Sequence, residues 1–509
     1  MAGDLGADLH AVHPDGAEPF DPAGLSVLVT GGGVSGFAAA DALVERGARV
    51  VLVDGADPGT SAGLLERMHV LEILGVDVRI GPEHVQGLPG ERVDLVVTSP
   101  GWRPDQPVLS AAADAGIPVW GEVELAWRLR PVGAAPWLTL TGTNGKTTTV
   151  QMLASMLRAA GLRACSAGNV GTPILEAVLH PEPFDVIAVE LSSFQLHWSR
   201  SLSPLASACL NIAPDHLDWH GSFAAYRAAK GRVFERTRVA CVYNVEDPVT
   251  EELVREAEVV EGARAVGFTL GVPAPSMVGL VDEVLADRAF VEQRDRSAAE
   301  LGTLDDIAGG TTPPPHLVQN ALAAAALARA AGVPPVAVRE GLRAFVPEPH
   351  RIAEVATVDG VRFVDDSKAT NPHAARASVL GYEHVVWVAG GLLKGAEVED
   401  LVADIASRLR AAVLIGADRG RIAEALRRHA PDVRVIDVPA TDTEVMDRVV
   451  AQALEAARPG DVVLLAPAAA SLDMFAHYGA RGDAFADAVH RLAERRSRRD
   501  EPPGGPGGG

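Results

Sequence analysis

The stretch WLTLTGTNGKTTTVQMLASML, residues 137–157, decides the fold of the central part of the chain. An apolar run ends in a turn with two glycines, and Lys146 and Thr147 then open a helix-forming segment. Such a turn exposes backbone N–H groups to phosphate, while the lysine reaches terminal phosphate oxygens and the threonine binds Mg²⁺. The spacing departs from G-x-x-x-x-G-K-[ST], because position 140 is leucine. We predict an ATP site formed by Gly142, Thr143, Asn144, Gly145, Lys146, Thr147 and Thr148.

A second glycine-rich turn lies nearer the start of the chain, in SVLVTGGGVSGFAAADAL at residues 26–43. Gly31, Gly33 and Gly36 fit G-x-G-x-x-G between a strand and a helix, and Asp54 ends the next strand, VVLVD. The pattern is typical of dinucleotide sites, in which N–H groups at a helix start receive a phosphate. The motif alone leaves NAD, another nucleotide and a purely structural turn open.

Short β-branched runs alternate with alanine- and leucine-rich helical segments along the body of the chain. Because this alternation favours parallel sheets covered by helices, we predict an α/β fold that is parallel throughout. Pro/Gly-rich stretches at 130–136 and 345–351 suggest domain boundaries. We expect three domains: a Rossmann-like domain at 25–132, a central P-loop ATPase-like sheet at 133–349 and a Rossmann-like α/β domain at 350–496. Residues 1–24 and 497–509 read as flexible tails, and the polar stretch 293–315 reads as an exposed loop.

The composition limits the class of protein. The 509 residues carry 45 Lys and Arg against 67 Asp and Glu, and the resulting charge of −22 argues against non-specific binding of nucleic acid. The three cysteines make no disulfide framework, and the N-terminus lacks the basic start and apolar run of a signal peptide. No apolar run approaches the ~18 residues of a membrane span. We expect a cytoplasmic monomer without membrane insertion.

Lysine is rare in this chain, with four lysines against 41 arginines. Arginine evidently serves where only positive charge is needed, so each retained lysine is a candidate for a compact or chemically modifiable amine. The alternative for any one of them is chance survival. The four are Lys146, Lys230, Lys368 and Lys394.

Further polar groups follow predicted strands, where ligands gather in parallel α/β sheets. Glu190 in VIAVELSSFQL is a candidate Mg²⁺ ligand beside the P-loop, with a helix cap as the alternative. His216 follows LASACLNI and Lys230 lies on the next helix, although a lone histidine is more often a packed residue than a ligand. Residues after the third-domain strands suit an anionic small substrate, with turns or caps as the alternative; they are Lys368, Thr370, Lys394 and Ser471.

Together these motifs resemble those of the Mur ligase family, over roughly residues 25–490. The segments that carry the resemblance are TGTNGKTT, GNVGTP at 168–173, ELSSFQL, DHLDWH, YRAAK, QNALAA, PHR, DSKATNP and GGLLKG, in that family's order. DSKATNP is the most discriminating segment, because it is similar to that of the branch that adds D-glutamate and sister ligases carry other residues there.

The resemblance implies an ATP-dependent amide ligase of peptidoglycan synthesis. It would join D-glutamate to UDP-N-acetylmuramoyl-L-alanine through an acyl phosphate and release ADP and phosphate. The first glycine turn would then hold the uridine nucleotide rather than NAD, and the implied contacts of this substrate are Val34, Ser35, Asp54, Ser99, Asn169 and His216. Further implied ATP contacts are Asn320, Arg351 and Asp366. The implied D-glutamate contacts are Lys368, Thr370, Lys394, Ser471 and Tyr478.

The resemblance also implies two Mg²⁺ ions, with Lys146, His216 and Lys230 as catalytic residues. One ion would lie on Thr147 and Glu190, and the second on His216 and a carbamylated Lys230. A neutral lysine amine can take up CO₂ and become an anion, which an arginine cannot do. The cations would offset the repulsion between the triphosphate and the substrate carboxylate.

Three alternatives stay open. One is a sister Mur ligase that adds another amino acid; one is an oxidoreductase that uses the turn at 31–36 for NAD; and one is a non-catalytic nucleotide-binding regulator. The chain departs from the family pattern at Leu317 and Asp365, since asparagine is common at both positions. The first departure puts one adenine contact in doubt.

Overall fold

The computed structural model describes residues 20–57, 62–308, 313–346, 350–439 and 445–500. These residues divide into two compact units. The first contains the described residues up to Ile212 and the segment Phe223–Phe345, and the second contains Ala213–Ser222 and the described residues from Val346 onward. Within the predicted tails, residues 1–19 and 501–509 lie outside the described part of the chain.

The first unit starts with a five-stranded parallel sheet. Its strands are β1 (Ser26–Thr30), β2 (Arg49–Asp54), β3 (Asp77–Ile80), β4 (Leu95–Thr98) and β5 (Val119–Gly121), in the order β3-β2-β1-β4-β5. Its helices are α1 (Val34–Val44), α2 (Ala62–Ile73), α3 (Pro107–Asp114) and α4 (Glu122–Leu129), with a short 3₁₀ helix at Pro82–Val85. The strand order reverses between β1 and β4, so the carboxyl ends of these strands flank the crevice in which such sheets bind ligands.

The second sheet of the first unit spans nine strands among the described residues. They are β6 (Trp137–Thr141), β7 (Ala164–Gly168), β8 (Val186–Glu190), β9 (Ala206–Cys209), β10 (Ala240–Asn244), β11 (Arg264–Phe268), β12 (Met277–Val281), β13 (Val284–Asp287) and β14 (Ala299–Thr303). Their order is β14-β13-β12-β11-β10-β9-β6-β8-β7. The sheet therefore has β6, the strand that opens the P-loop, between β9 and β8.

Helices cover both faces of this sheet. They are α5 (Lys146–Ala159), α6 (Ile174–Val178), α7 (Ser193–His197), α9 (Phe223–Gly231), α10 (Pro248–Glu256), α11 (Leu304–Ala308), α12 (Pro315–Ala330) and α13 (Pro335–Ala344), with a 3₁₀ helix at Arg232–Phe234; α8 (Leu217–His220) belongs to the second unit. Neighbouring residues of β6 enter different cores, with Trp137 in one and Leu138 in the other. Every residue of β6 and β8 is buried, as expected for strands covered on both faces.

The second unit holds the third sheet. Its strands are β15 (Ala353–Val358), β16 (Val361–Asp365), β17 (Val385–Gly390), β18 (Leu409–Ile415), β19 (Arg434–Asp437) and β20 (Val462–Leu465), in the order β15-β16-β20-β17-β18-β19. Its helices are α14 (Pro372–Leu380), α15 (Glu399–Ile405), α16 (Arg419–His429), α17 (Val445–Ala456) and α18 (Tyr478–Asp500), with a 3₁₀ helix at Ala406–Arg408. The carboxyl ends of β16, β20 and β17 are adjacent, and the loops that follow them carry the predicted amino-acid site.

The α/β fold class is confirmed, but the expectation of parallel pairing throughout is wrong at two places. β12, β13 and β14 pair antiparallel, and so do β15 and β16. For the β12–β13 and β15–β16 pairs the physical reason is the connection, since two residues cannot form the crossover that parallel strands need. Asp282 has φ 53° in the first turn, and Asp359 and Gly360 have φ 51° and 77° in the second.

Other boundaries also differ from the sequence expectations. The predicted loop 293–315 contains β14 and α11, and α18 continues to Asp500 through the start of the predicted C-terminal tail. Phe20 donates its N–H to the Arg128 carbonyl and packs edge-on against Trp120, so residues before 25 also pack on the first domain. The three sheets fall within the three predicted domain ranges, whose exact limits stay a prediction. In the described part of the chain, no helix is long and apolar enough to span a membrane.

Candidate nucleotide and substrate site

The P-loop connects the buried strand β6 to helix α5. Gly145 adopts φ 81°, a left-handed conformation that favours glycine, and the helix starts at the next residue. The Lys146 ammonium donates to the carbonyls of Gly142 and Thr143, at 2.8 and 2.9 Å. Thr147 and Thr148 are buried in the first turn of the helix. The turn therefore combines a helix N-terminus with a lysine cation, an arrangement that can hold the phosphates of a nucleoside triphosphate.

Two residues that sequence reasoning did not single out hold the P-loop in shape. The Asn211 side chain accepts from the Asn144 N–H at 2.9 Å and donates to the Asn144 carbonyl at 3.2 Å. The Tyr226 hydroxyl, fully buried, lies 2.8 Å from the Thr143 hydroxyl. Asn211 comes just after β9, the neighbour of β6, so its position at a strand end was a signal that could have identified it.

Glu190 lies at the end of β8 with 1% of its surface exposed. Its Oε1 accepts from the Asn169 side-chain amide at 2.8 Å, whereas Oε2 has no hydrogen-bond partner among the described residues. Helix α7 is capped instead by Ser192 in a capping box with Gln195, so Glu190 is not a helix cap. A buried carboxylate oxygen without a partner is costly, and a cation would satisfy it.

The Mg²⁺ expected at Glu190 fits this donor set. Thr147 supplies a buried hydroxyl, and hard cations such as Mg²⁺ take one or two protein oxygens together with phosphate and water. In the described part of the chain, no group of three or more His, Cys, Asp or Glu side chains could hold a metal alone. The phosphates of the nucleotide would therefore have to complete the coordination.

Lys230 reaches the start of the same turn from α9. It is 2% exposed, and its ammonium donates to the Gly142 carbonyl at 2.7 Å and to the Thr141 hydroxyl at 3.2 Å. It also lies 5.0 Å from the centre of the Tyr226 ring. The predicted catalytic residues Lys146 and Lys230 are thus brought to one carbonyl group.

Asn320 approaches the turn from helix α12. A β-carbon built on Gly145 would overlap the Asn320 side-chain oxygen, so the amide packs directly on the turn. Leu317, one helical turn earlier, is partly buried against the core beneath. Within the first unit, the structure brings the P-loop, Asn169, Glu190, Lys230 and Asn320 to adjoining positions.

The first glycine-rich turn, at the end of β1, is held by hydrogen bonds to the side chains of Asp54 and Ser99. Asp54 accepts from the Gly32 and Ala56 N–H groups at 2.6 and 2.8 Å, and the Ser99 hydroxyl donates to the Gly31 carbonyl at 3.3 Å. Val34 and Ser35 begin helix α1, and Val34 is exposed over 63% of its surface. The predicted contacts Val34, Ser35, Asp54 and Ser99 therefore surround one turn, and their binding role stays a prediction.

Two buried glutamates on α4 were missed by the sequence analysis, and one of them, Glu122, lies beside this turn. Glu124 accepts from the Arg200 and Ser201 N–H groups, from the Ser201 hydroxyl and from Arg128, at 2.6–2.9 Å. Glu122 faces the Ser35 hydroxyl, and its Oε1 has no hydrogen-bond partner among the described residues. Burial raises the pKa of the Glu122 carboxyl to about 7. Hydrogen bonds from the Ser35 side chain and from the Leu175 and Ile174 backbone oppose that rise only in part.

In the second unit, the DSKATNP segment follows β16. Asp365 accepts from His350 Nδ1 at 2.6 Å, and Asp366 accepts from the Ser378 hydroxyl. Burial raises the pKa of the Asp366 carboxyl to about 6. Lys368 lies 5.1 Å from the centre of the Tyr478 ring, so these two predicted D-glutamate contacts are neighbours.

Two further loops of the second unit pair with each other. The N–H groups of Leu392 and Ala470 each donate to the other's carbonyl at 2.9 Å, which sets the exposed Lys394 and the buried Ser471 on adjoining loops. Asp418 accepts from the Leu393 N–H at 2.8 Å and was not identified from the sequence. Thr370 donates its N–H to the Lys368 carbonyl at 2.8 Å.

The second unit also contains two residues predicted to act at the nucleotide site, His216 and Arg351. His216 precedes α8 in a left-handed conformation, φ 52°, and its Nε2 lies 3.7 Å from an Asp215 carboxylate oxygen. Arg351 is partly buried, and its charge lowers the pKa of Asp366 against the larger effect of burial. Their participation in one site with the P-loop stays a prediction.

Comparisons with known proteins agree with this architecture. Family models described as the Mur ligase middle domain and as the Mur ligase, glutamate ligase domain match residues 140–328 and 350–469. The UDP-N-acetylmuramoylalanine–D-glutamate ligase of Streptomyces avermitilis is 60% identical over 470 residues, covering 92% of this chain and 98% of that protein. The ligase of the same name from Thermobifida fusca is 57% identical over 472 residues, covering 92% and 99%.

A solved structure gives the same fold. The UDP-N-acetylmuramate-alanine ligase MurC of Thermotoga maritima matches with a TM-score of 0.53 at 18% identity, over 92% of this chain and 100% of that chain. The chain belongs to the Mur ligase family, as its motifs predict. Ligases of this family depend on ATP and Mg²⁺.

Proposed function

We propose that this chain is an ATP-dependent ligase that joins D-glutamate to UDP-N-acetylmuramoyl-L-alanine in peptidoglycan synthesis. The relatives that carry the name of this activity are 57–60% identical over 92% of the chain. The observation that carries the ATP chemistry is the P-loop itself, where Lys146, Lys230 and the half-satisfied carboxylate of Glu190 lie around one turn.

The reaction has two steps. The alanine carboxylate attacks the γ-phosphorus of ATP, the bond to the bridging oxygen of the β-phosphate breaks, and an acyl phosphate and ADP form. The amine of D-glutamate then attacks the acyl carbon, phosphate leaves with the electrons of the C–O bond, and the nitrogen loses a proton. Both steps bring anions together, so fixed cations in a poorly hydrated site are worth far more than in water.

The chain's own residues divide this work. Lys146 and the N–H groups of the P-loop hold the triphosphate, and Asn320, Arg351 and Asp366 complete the nucleotide contacts. When bound, Mg²⁺ neutralises phosphate charge during the transfer; Thr147 and Glu190 would hold one ion. His216 and a carbamylated Lys230 would hold a second ion. The burial of Lys230 and the family's motif support this assignment.

The two other substrates have separate contacts. Val34, Ser35, Asp54 and Ser99 would bind the uridine end of the precursor, and Asn169 its phosphates. Lys368, Thr370, Lys394, Ser471 and Tyr478 would bind D-glutamate, because two lysines suit its two carboxylates. We propose that the enzyme works as a cytoplasmic monomer, where ATP and the UDP-linked precursor are available.

Phosphate release tests the activity. Purified protein receives ATP, Mg²⁺, UDP-N-acetylmuramoyl-L-alanine and one amino acid at a time, and the product mass identifies the addition. Release with D-glutamate is expected. Release only with L-alanine, L-lysine or diaminopimelate would instead assign the chain to a sister ligase.

Lys230→Arg tests the carbamate. An arginine keeps a positive charge near the Gly142 carbonyl but cannot take up CO₂, so we expect activity to fall by about 10³-fold with the fold intact. Circular dichroism and ATP binding serve as controls. An active Lys230→Arg variant would exclude the carbamate role.

A further inference from the structure

One arginine of the second unit is buried almost completely. Arg481 lies in the first turn of α18 with 1% of its surface exposed. Its Nε donates to the Ser367 hydroxyl at 2.9 Å and its Nη2 to the Ser367 carbonyl at 2.8 Å. Its Nη1 lies 3.1 Å from the Ala469 carbonyl and 3.4 Å from the Gly390 carbonyl. One guanidinium therefore contacts three separate loops.

These three loops follow adjacent strands of the third sheet. Ser367 comes after β16, Ala469 after β20, and Gly390 ends β17, and these strands neighbour one another in the sheet. The predicted amino-acid contacts lie one to four residues further along the same loops: Lys368 and Thr370, Ser471, and Lys394. The guanidinium thus fixes the spacing between the loops that carry opposite ends of the predicted site.

The hydrogen-bond partners of Arg481 are neutral, so no hydrogen-bonded carboxylate pairs with its charge. Its acceptors are two backbone carbonyls and the two oxygens of Ser367, rather than a carboxylate. Burial lowers its pKa to about 10, which leaves it charged at neutral pH, while Asp473 and Asp365 act on it only from a distance. A buried cation behind three strand ends favours an anionic ligand in front of them.

The neighbouring residue ties the same turn to a second loop. A β-carbon on Gly482 would overlap His350 Nδ1 and would come within 2.7 Å of Asp365 Oδ2. The start of α18 therefore packs directly on the His350–Asp365 pair that precedes Ser367. This close packing leaves the guanidinium little freedom to move.

We propose that Arg481 is a positioning residue for the amino-acid substrate, which holds the loops at Ser367, Gly390 and Ala469 in register and adds positive potential behind a dicarboxylate. The identity of that substrate as D-glutamate rests on the proposed function. The guanidinium itself touches the loops and acts on the substrate through them.

The test is Arg481→Lys, with steady-state kinetics for each substrate at saturation of the other two. A lysine keeps the charge but reaches fewer of the four acceptors, so we expect KM for D-glutamate to rise about tenfold. KM values for ATP and for the UDP precursor should change by less than about twofold. An unchanged KM for D-glutamate, or an equal rise in all three KM values, would overturn the proposal.

Two further variants keep the test decisive. Arg410→Lys is the matched control, because Arg410 pairs with Asp461 at the opposite end of the same sheet and should leave every KM unchanged. If Arg481→Lys does not fold, Ser367→Ala removes one acceptor and should raise KM for D-glutamate about threefold; no change would overturn the proposal. Wild-type enzyme without D-glutamate-dependent phosphate release would contradict the proposed function instead.

Discussion

The two glycine-rich turns of the first unit share a strand–turn–helix path and differ in the charge around them. The turn at 31–36 is held by a carboxylate, since Asp54 accepts from its Gly32 N–H. The turn at 142–146 meets two ammonium groups, Lys146 and Lys230. The glycine pattern therefore specifies a turn whose backbone N–H groups can bind a phosphate. The charges of the neighbouring side chains determine how much negative charge of a ligand is stabilised there. This difference explains why the first motif alone left its nucleotide open.

Removing Lys146, one of the two ammonium groups at the second turn, should have the largest effect. We expect Lys146→Met to lower kcat by about 10³-fold or more, because Lys146 opens α5 and its ammonium is placed among the P-loop carbonyls, where terminal phosphate oxygens would lie. Affinity for the UDP precursor, measured by calorimetry, should stay within about twofold of wild type. Retained turnover would mean that the two turns do not differ in function as proposed.

The second largest effect should be the loss of stability when an alanine methyl group replaces a glycine hydrogen in the first turn. A β-carbon on Gly36 would overlap the Gly31 carbonyl, so we expect Gly36→Ala to lower the free energy of unfolding by about 3 kcal/mol. Gly33→Ala is the matched control, since a β-carbon there meets nothing within 4 Å among the described residues, and it should cost about 1 kcal/mol or less, the effect of alanine at the N-cap of α1. Equal thermal stabilities of the two variants would contradict the packing described for this turn.

The carboxylate of the first turn should affect only one substrate. Asp54→Ala leaves the Gly32 and Ala56 N–H groups without their acceptor, so we expect KM for the UDP precursor to rise about tenfold. KM for ATP at saturating precursor should not change. A parallel rise in both would show that the two turns act as one site rather than two.

The last effect depends on pH and concerns Glu122, which faces Ser35 beside the first turn. Its folded-state pKa of about 7 exceeds the ordinary value of 4.5, so the folded protein holds a proton that the unfolded chain releases. This group therefore makes stability fall as pH rises from about 4.5 to about 7. We expect the change in stability caused by Glu122→Gln to be more favourable at pH 8 than at pH 4 by about 3 kcal/mol. Melting temperatures of both proteins at the two pH values check this, and a pH-independent difference would contradict it.

Local patterns predicted the elements that depend on nearby residues. The start of α5 at Lys146 and the ends of β6 and β8 follow from apolar runs and glycines read directly along the chain. The hairpin between β15 and β16 was also readable, because Asp359–Gly360 is a preferred two-residue turn, but the regular alternation of strands and helices concealed it.

Contacts between distant residues could not be predicted in the same way. Asn211 lies 67 residues from its P-loop partner Asn144, and Arg481 lies 114 residues from Ser367. In the sequence, Arg481 is one of 41 arginines, and only its burial behind three strand ends distinguishes it. The orphaned oxygen of Glu190 likewise depends on how β8 packs, which no local pattern encodes.

The Gly142 carbonyl accepts from Lys146 and from Lys230, at 2.8 and 2.7 Å. Because one oxygen accepts from both amines, a change in the charge or the bonding of one amine changes how strongly the oxygen holds the other. A triphosphate that draws Lys146 away strengthens the hold on Lys230, and a reaction that consumes the Lys230 ammonium frees the oxygen for Lys146. By reciprocity, a nucleotide that changes the equilibrium of a modification at Lys230 has its own affinity changed by that modification by the same factor, so the proposed carbamate would make dissolved CO₂ an effector of nucleotide binding.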